Sequence, residues 1–111
     1  MPPAKYKLTY LKSADMDLAD IFTYIAAELA APEAAARLLE KIESAAAQLL
    51  IFPYAHPLYP AGVDTAPFEF RALIVESYPA LYYVIDDTVT IARVVYGGRD
   101  IQAILSKTAN P

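Results

Sequence analysis

The run from residue 68 to residue 105, FEFRALIVESYPALYYVIDDTVTIARVVYGGRDIQAIL, constrains the fold more than any other part of this chain. It holds three stretches rich in β-branched and aromatic residues, separated by very short polar breaks. That is the pattern of consecutive antiparallel strands. We read strands at 68–75, 78–85 and 89–96, with turns at Glu76-Ser77 and Asp86-Asp87. Aspartate suits such turns because its carboxylate bonds nearby backbone. The third stretch is apolar on both faces except at Arg93, as expected of a central strand covered on both sides. Pro79 brings no N–H to a ladder, so it belongs at a strand start or an edge. Gly97-Gly98 ends the last strand, and residues 99–105 read as a short closing helix.

The first half reads differently. KYKLTYL, at 5–11, alternates polar and apolar and suits a half-buried strand. Ser13 is the expected N-cap of a helix, with Asp15 and Asp17 in the first turn, where the helix dipole favours negative charge. Ala14, Leu18, Ile21, Phe22, Ile25 and Leu29 follow as one apolar stripe. Pro32 and Glu33 open a second helix that runs to about Leu50. Its buried face is Leu38, Leu39, Ile42, Ala45, Ala46 and Leu49. So short a connection makes the two helices an antiparallel hairpin. A proline-rich loop, 52–67, then leads to the strands. The expected fold class is α+β: an N-terminal strand, an antiparallel helical hairpin, a three-stranded antiparallel C-terminal sheet and a short closing helix. At 111 residues it is expected to be one domain, 1–111.

Composition narrows the function. There are no cysteines, so disulfide scaffolds, thiolate metal sites and cysteine nucleophiles are out, and a reducing, cytoplasmic setting fits. The first dozen residues lack an apolar core of the signal-peptide kind, and no apolar run is long enough to span a membrane. Net charge is −4, which argues against direct nucleic-acid binding, since proteins that live on phosphates carry a basic surplus. The chain is 57% hydrophobic, enough to leave apolar surface for a partner or for a homodimer.

Few residues offer chemistry. His56 has no serine, cysteine or carboxylate nearby with which to build a triad. The acidic pairs Asp15/Asp17 and Asp86/Asp87 belong to a helix start and a turn, so no metal site and no cofactor is expected. The glycines fit no nucleotide-binding fingerprint. The arginines remain. Strand alternation puts Glu69, Arg71, Leu73 and Val75 on one face and Phe68, Phe70, Ala72 and Ile74 on the other. Arg93 is expected to share a face with Val89, Ile91 and Val95. A buried guanidinium must be paired. Arg71, Arg93 and Arg99 therefore either form ion pairs with Glu69, Glu76, Asp86 or Asp100, or bind a partner's carboxylates bidentately.

KLTYL, ADMDLADIFTYI, RLLEKIESAAAQL, FPYAHP and above all RALIVESYPALYYVIDDTVTIARVVYGGRDI, taken in order, resemble the ParE/RelE superfamily of toxins from bacterial type II toxin–antitoxin modules, the plasmid-stabilisation type. The resemblance is to ParE-like members most of all, with an arginine on the first C-terminal strand, a tyrosine-rich second strand, an I-x-R-V strand and a Gly-Arg-Asp ending. It implies two kinds of activity. RelE-like members are ribosome-dependent mRNA endonucleases that need basic side chains on the sheet and often a C-terminal tyrosine. Arg71 and Arg99 match two basic positions, but Leu73, Pro79 and Leu105 stand where others would be expected. ParE-like members poison DNA gyrase by binding and have no catalytic residues of their own. The resemblance therefore implies a growth-arresting gyrase inhibitor with no catalytic site. It is neutralised by a cognate antitoxin whose C-terminal segment wraps the toxin and folds as it binds. The alternatives are a RelE-type endoribonuclease and a member that retains only antitoxin pairing. The candidate target- or antitoxin-binding residues are Arg71, Arg93, Arg99, Tyr82 and Tyr83.

Overall fold

The computed structural model of the protein describes residues 6–58 and 68–96. Gly97-Gly98, the closing helix expected at residues 99–105, and Arg99 lie outside them. The described elements run β1 (Lys7–Tyr10), α1 (Lys12–Thr23), a π-helical turn (Tyr24–Glu28), α2 (Pro32–Gln48), β2 (Arg71–Val75), β3 (Tyr78–Ile85) and β4 (Thr88–Val94). The fold is α+β, as the sequence pattern leads one to expect.

The strands form one four-stranded mixed sheet in the order β1-β4-β3-β2. The β2–β3 and β3–β4 hairpins are antiparallel, and their two-residue turns fall at Glu76-Ser77 and Asp86-Asp87. Each turn holds its first residue left-handed, Glu76 at φ 56° and Asp86 at φ 54°. The opening strand adds the fourth member by pairing parallel to β4, Leu8 beside Val89 and Tyr10 beside Ile91. This makes β4 central, as its two-sided apolar pattern requires. Pro79 sits second in β3, and its carbonyl accepts the Val95 N–H at 2.9 Å. N–H and C=O of one residue point to the same side of an antiparallel ladder, so the missing N–H lies beyond the end of β4, where no strand pair loses a bond.

Helix α1 covers β4 and α2 covers β2 on one face of the sheet. The core there joins Ala14, Leu38, Ile42, Ala46 and Leu49 to Leu73, Val75, Ala80, Tyr82, Val89, Ile91 and Val94. Burying a side chain such as Ile42 or Leu49 contributes about 1.5–3 kcal/mol. A smaller cluster of Phe70, Leu81, Ala92 and Val95 lies apart from it, with Phe68 and Tyr83 packed against it.

Three expectations need correction. Ser13 is not the N-cap of α1. Leu11 is, without a side-chain bond, and Ser13 lies inside the first turn. Its hydroxyl instead donates to the Ala92 carbonyl at 2.7 Å, because β1 stops at Tyr10 and leaves that part of the β4 edge without a strand partner. The apolar stripe of α1 does not run straight to Leu29. The π turn adds a residue and rotates the later positions by about 100°, so Leu29 emerges 57% exposed while Ile25 still reaches the core. Strand β4 does not alternate strictly, because it carries a bulge at Ala92, opposite Leu81 and Tyr82 of β3, that shifts its register. Val89, Ile91 and Val94 therefore share the helix-covered core and Val95 joins the other cluster, not the face of Val89 and Ile91.

Candidate functional site

The residues singled out from sequence fall into two places. At the outer edge of the sheet, Arg71 opens β2 and stands directly across from Tyr82 on β3. Both reach the start of the proline-rich loop. Arg71 Nη1 donates to the His56 carbonyl at 2.7 Å, and its guanidinium lies 5.1 Å from the centre of the Tyr54 ring. Such a cation–π contact contributes about 0.5–1 kcal/mol when exposed. The Tyr82 hydroxyl donates to the Pro53 carbonyl at 2.8 Å. The His56 ring meets Tyr82 edge-on at 6.3 Å. Backbone bonds finish the attachment: Ala72 N–H donates to the Pro57 carbonyl, and Leu58 bridges to Arg71. The loop segment 53–58 is thus fastened to the edge strand.

Tyr82 is completely buried. Burial pushes its phenol above the usual tyrosine range, and the nearby Arg71 charge opposes that shift. Tyr83, its neighbour in β3, points the other way. It stacks on Phe68 at 4.5 Å and meets Phe70 edge-on at 5.6 Å. A shallow hollow of about 270 Å³ brings Arg71 and Tyr83 together with Tyr54, Phe68, Glu69 and Ile85.

Arg93 lies elsewhere. Its Nε and Nη2 donate to the two carboxylate oxygens of Asp17 on α1 at 2.7 and 2.8 Å, and the Val94 N–H donates to the same carboxylate at 2.9 Å. The bond to Asp17 raises the Arg93 pKa above its usual value, against the opposing effect of burial. Its partner is none of the carboxylates considered from sequence. Local spacing assigns Asp17 to the helix dipole, and only the crossing of α1 over the end of β4 brings it within reach of Arg93.

Two features of this region escape sequence reading. His56 contributes its carbonyl to Arg71 and its ring to an edge-on contact with Tyr82. Tyr54, within the FPYAHP turn, supplies the face for Arg71; an aromatic two residues from that histidine is the available signal. Leu73 is buried in the core, and Pro79 is taken up by the strand pairing at the start of β3.

The family model described as "ParE toxin of type II toxin-antitoxin system, parDE" matches residues 8–101. The chain belongs to this ParE toxin family. The match takes in both helices, β2 to β4 and all of β1 but its first residue. A solved structure, the chromosomal ParDE TA system from P. aeruginosa, has a chain similar in fold, with a TM-score of 0.69 and 21% identity. That similarity covers 86% of this chain and 99% of the other. No curated protein sequence matches. The ParE family resemblance drawn from the C-terminal strands and the helical hairpin thus holds. No helix among the described residues is long and apolar enough to cross a membrane.

Proposed function

We propose that this ParE-family toxin inhibits DNA gyrase by binding it in the cytoplasm, and that a cognate antitoxin neutralises it by wrapping its C-terminal segment around the toxin. The observation that carries this reading is the ParE family match over residues 8–101. The arginine geometry supports binding over phosphodiester cleavage. A nuclease needs cations free to hold a phosphorane and a group free to move a proton. Arg71 is engaged by the His56 carbonyl and Tyr54, and Arg93 by Asp17.

In this reading Arg71 and Tyr83, side by side in the edge hollow, touch the target or the antitoxin directly. Tyr82 holds the loop beside that surface, while Arg93, paired with Asp17, fastens α1 to β4 away from it. Arg99, outside the described residues, joins the contact set by its place in the sequence.

The test is induced expression in a bacterial host, with and without a candidate antitoxin frame taken from beside the gene. The proposal expects lost viability, filamentation, a DNA-damage response and intact messages, all reversed when the neighbour is co-expressed. Growth arrest with cleaved messages and no DNA damage would replace it with an endoribonuclease.

A further inference from the structure

On the helix-covered side, away from the Arg71 hollow, three tyrosines and one carboxylate converge. Asp20 and Tyr24 come from one face of α1 and its π turn, Tyr78 from the start of β3, and Tyr96 from just past β4. With Ile21 they line an open hollow of about 350 Å³. Tyr78 and Tyr96 meet edge-on at 5.8 Å, which fixes their rings as two walls at 70°. Tyr24 and Tyr96 are about half exposed, 47% and 56%. Asp20 is exposed, and no ion pair occupies it among the described residues. None of the chemistry proposed above uses these groups.

We propose that this hollow is a receptor for an arginine side chain presented by a protein partner. Aromatic faces carry negative quadrupole charge and attract a cation lying over them, and a carboxylate at the rim completes the match. The protein as a whole carries net charge −4, so a cationic group is drawn toward it.

The shape selects arginine. A flat guanidinium stacks on a ring and still offers a two-pronged edge to Asp20, which a compact ammonium cannot do. The hollow is too open to enclose a free small cation. Beyond Tyr78 lies a second hollow of about 280 Å³, lined by Ile25, Leu29, Leu38 and Lys41 among others. An arginine carried on a segment that also lays apolar side chains there would be held at two points, with Tyr78 as the shared wall. The π turn matters to this arrangement. Its wide bond, Leu29 N–H to the Tyr24 carbonyl at 3.2 Å, sets Tyr24 at the rim and brings Leu29 out to the neighbouring hollow.

The test uses the full chain and N-acetyl-arginine amide as the probe, followed by aromatic NMR of the tyrosine rings. Its neutral counterpart N-acetyl-citrulline amide and tetramethylammonium serve as controls. The proposal expects saturable shifts at Tyr24, Tyr78 and Tyr96, with a midpoint on the order of millimolar. It expects no comparable response to citrulline, and binding about 5–10-fold weaker in Asp20→Asn, at an exposed site where the fold is retained. Equal response to citrulline, preference for tetramethylammonium, shifts elsewhere on the protein, or an Asp20→Asn variant that binds as well as the parent would each overturn it. This result is independent of the gyrase reading, since it concerns what one hollow binds and not which enzyme is inhibited.

Discussion

Asp17 and Arg93, 76 residues apart, form a two-pronged ion pair in which the same carboxylate also accepts the Val94 N–H. With Ser13 on Ala92, it supplies the partners that β1 would have given β4 had it continued. The two side chains are only 14% and 22% exposed, so solvent cannot readily replace either partner.

Breaking one side of that pair should therefore be strongly destabilising. Asp17→Ala strands a guanidinium and a strand N–H together, and a loss of about 2–4 kcal/mol is expected in denaturant unfolding. Asp17→Asn keeps an acceptor for Val94 and should lose less. A double-mutant cycle with Arg93→Met should return a coupling of about 1–3 kcal/mol. Additive single effects would show that the contact contributes shape and not energy.

Tyr82 makes stability sensitive to alkali. Its folded pKa is raised above the ordinary value of 10.0, chiefly by burial. Between the unfolded and the folded pKa, the unfolded chain has released the proton and the folded one has not. Stability is therefore full below about pH 10 and falls as pH rises through that window. Tyr82→Phe should cost about 1–2 kcal/mol near neutrality by leaving the Pro53 carbonyl without its donor, and should flatten the alkaline decline. Urea unfolding between neutral pH and strong alkali separates the two effects. An unchanged alkaline slope would assign the sensitivity to Tyr10 or Tyr78, whose phenols burial also raises.

Ala30 is held at φ 49°, left-handed, where the chain leaves the π turn and the Ala31 N–H reaches back to the Ile25 carbonyl at 3.1 Å. A glycine would remove a strain of about 1–2 kcal/mol and give back part of it as unfolded-state entropy. Ala30→Gly is expected to stabilise the protein by about 0.5–1 kcal/mol, read as a raised denaturation midpoint. A lowered midpoint would mean the methyl group packs favourably.

Much of this fold can be read from the residues themselves. The β2–β3 and β3–β4 hairpins follow from their turn residues, and β3 begins and ends where its apolar pattern does; α2 follows from Pro32 and the spacing of Leu38, Ile42 and Leu49. The features that cannot be read depend on contacts distant in sequence. The parallel pairing of β1 is set by neither of its own faces. The bulge at Ala92, opposite Leu81 and Tyr82, breaks a parity in β4 that sequence can only extend strictly. Ser13 and Asp17 look like helix-start residues because local spacing says so, and they are drawn to β4 by a strand that stops early. The same holds for the site: Arg71 is visible as a cation among apolar neighbours, but its partners are a loop carbonyl and a ring.

Arg71 lies where the fold and the proposed contact surface meet. Arg71→Ala removes the His56 bond and the Tyr54 contact, and a stability loss of about 1 kcal/mol is expected with a toxic potency reduced about tenfold. Arg71→Lys keeps the charge but not the planar fork, so it should recover little potency. Titrated expression against growth gives the measure. Full toxicity in both variants would remove Arg71 from the contact surface.

The central claim, inhibition by binding gyrase, is tested most directly with the purified toxin, purified gyrase and relaxed plasmid. The account predicts dose-dependent loss of supercoiling, accumulation of gyrase-cleaved DNA, and reversal of both by the antitoxin. Unimpaired supercoiling at saturating toxin, with ribosome-bound message cleaved in a parallel translation reaction, would contradict it.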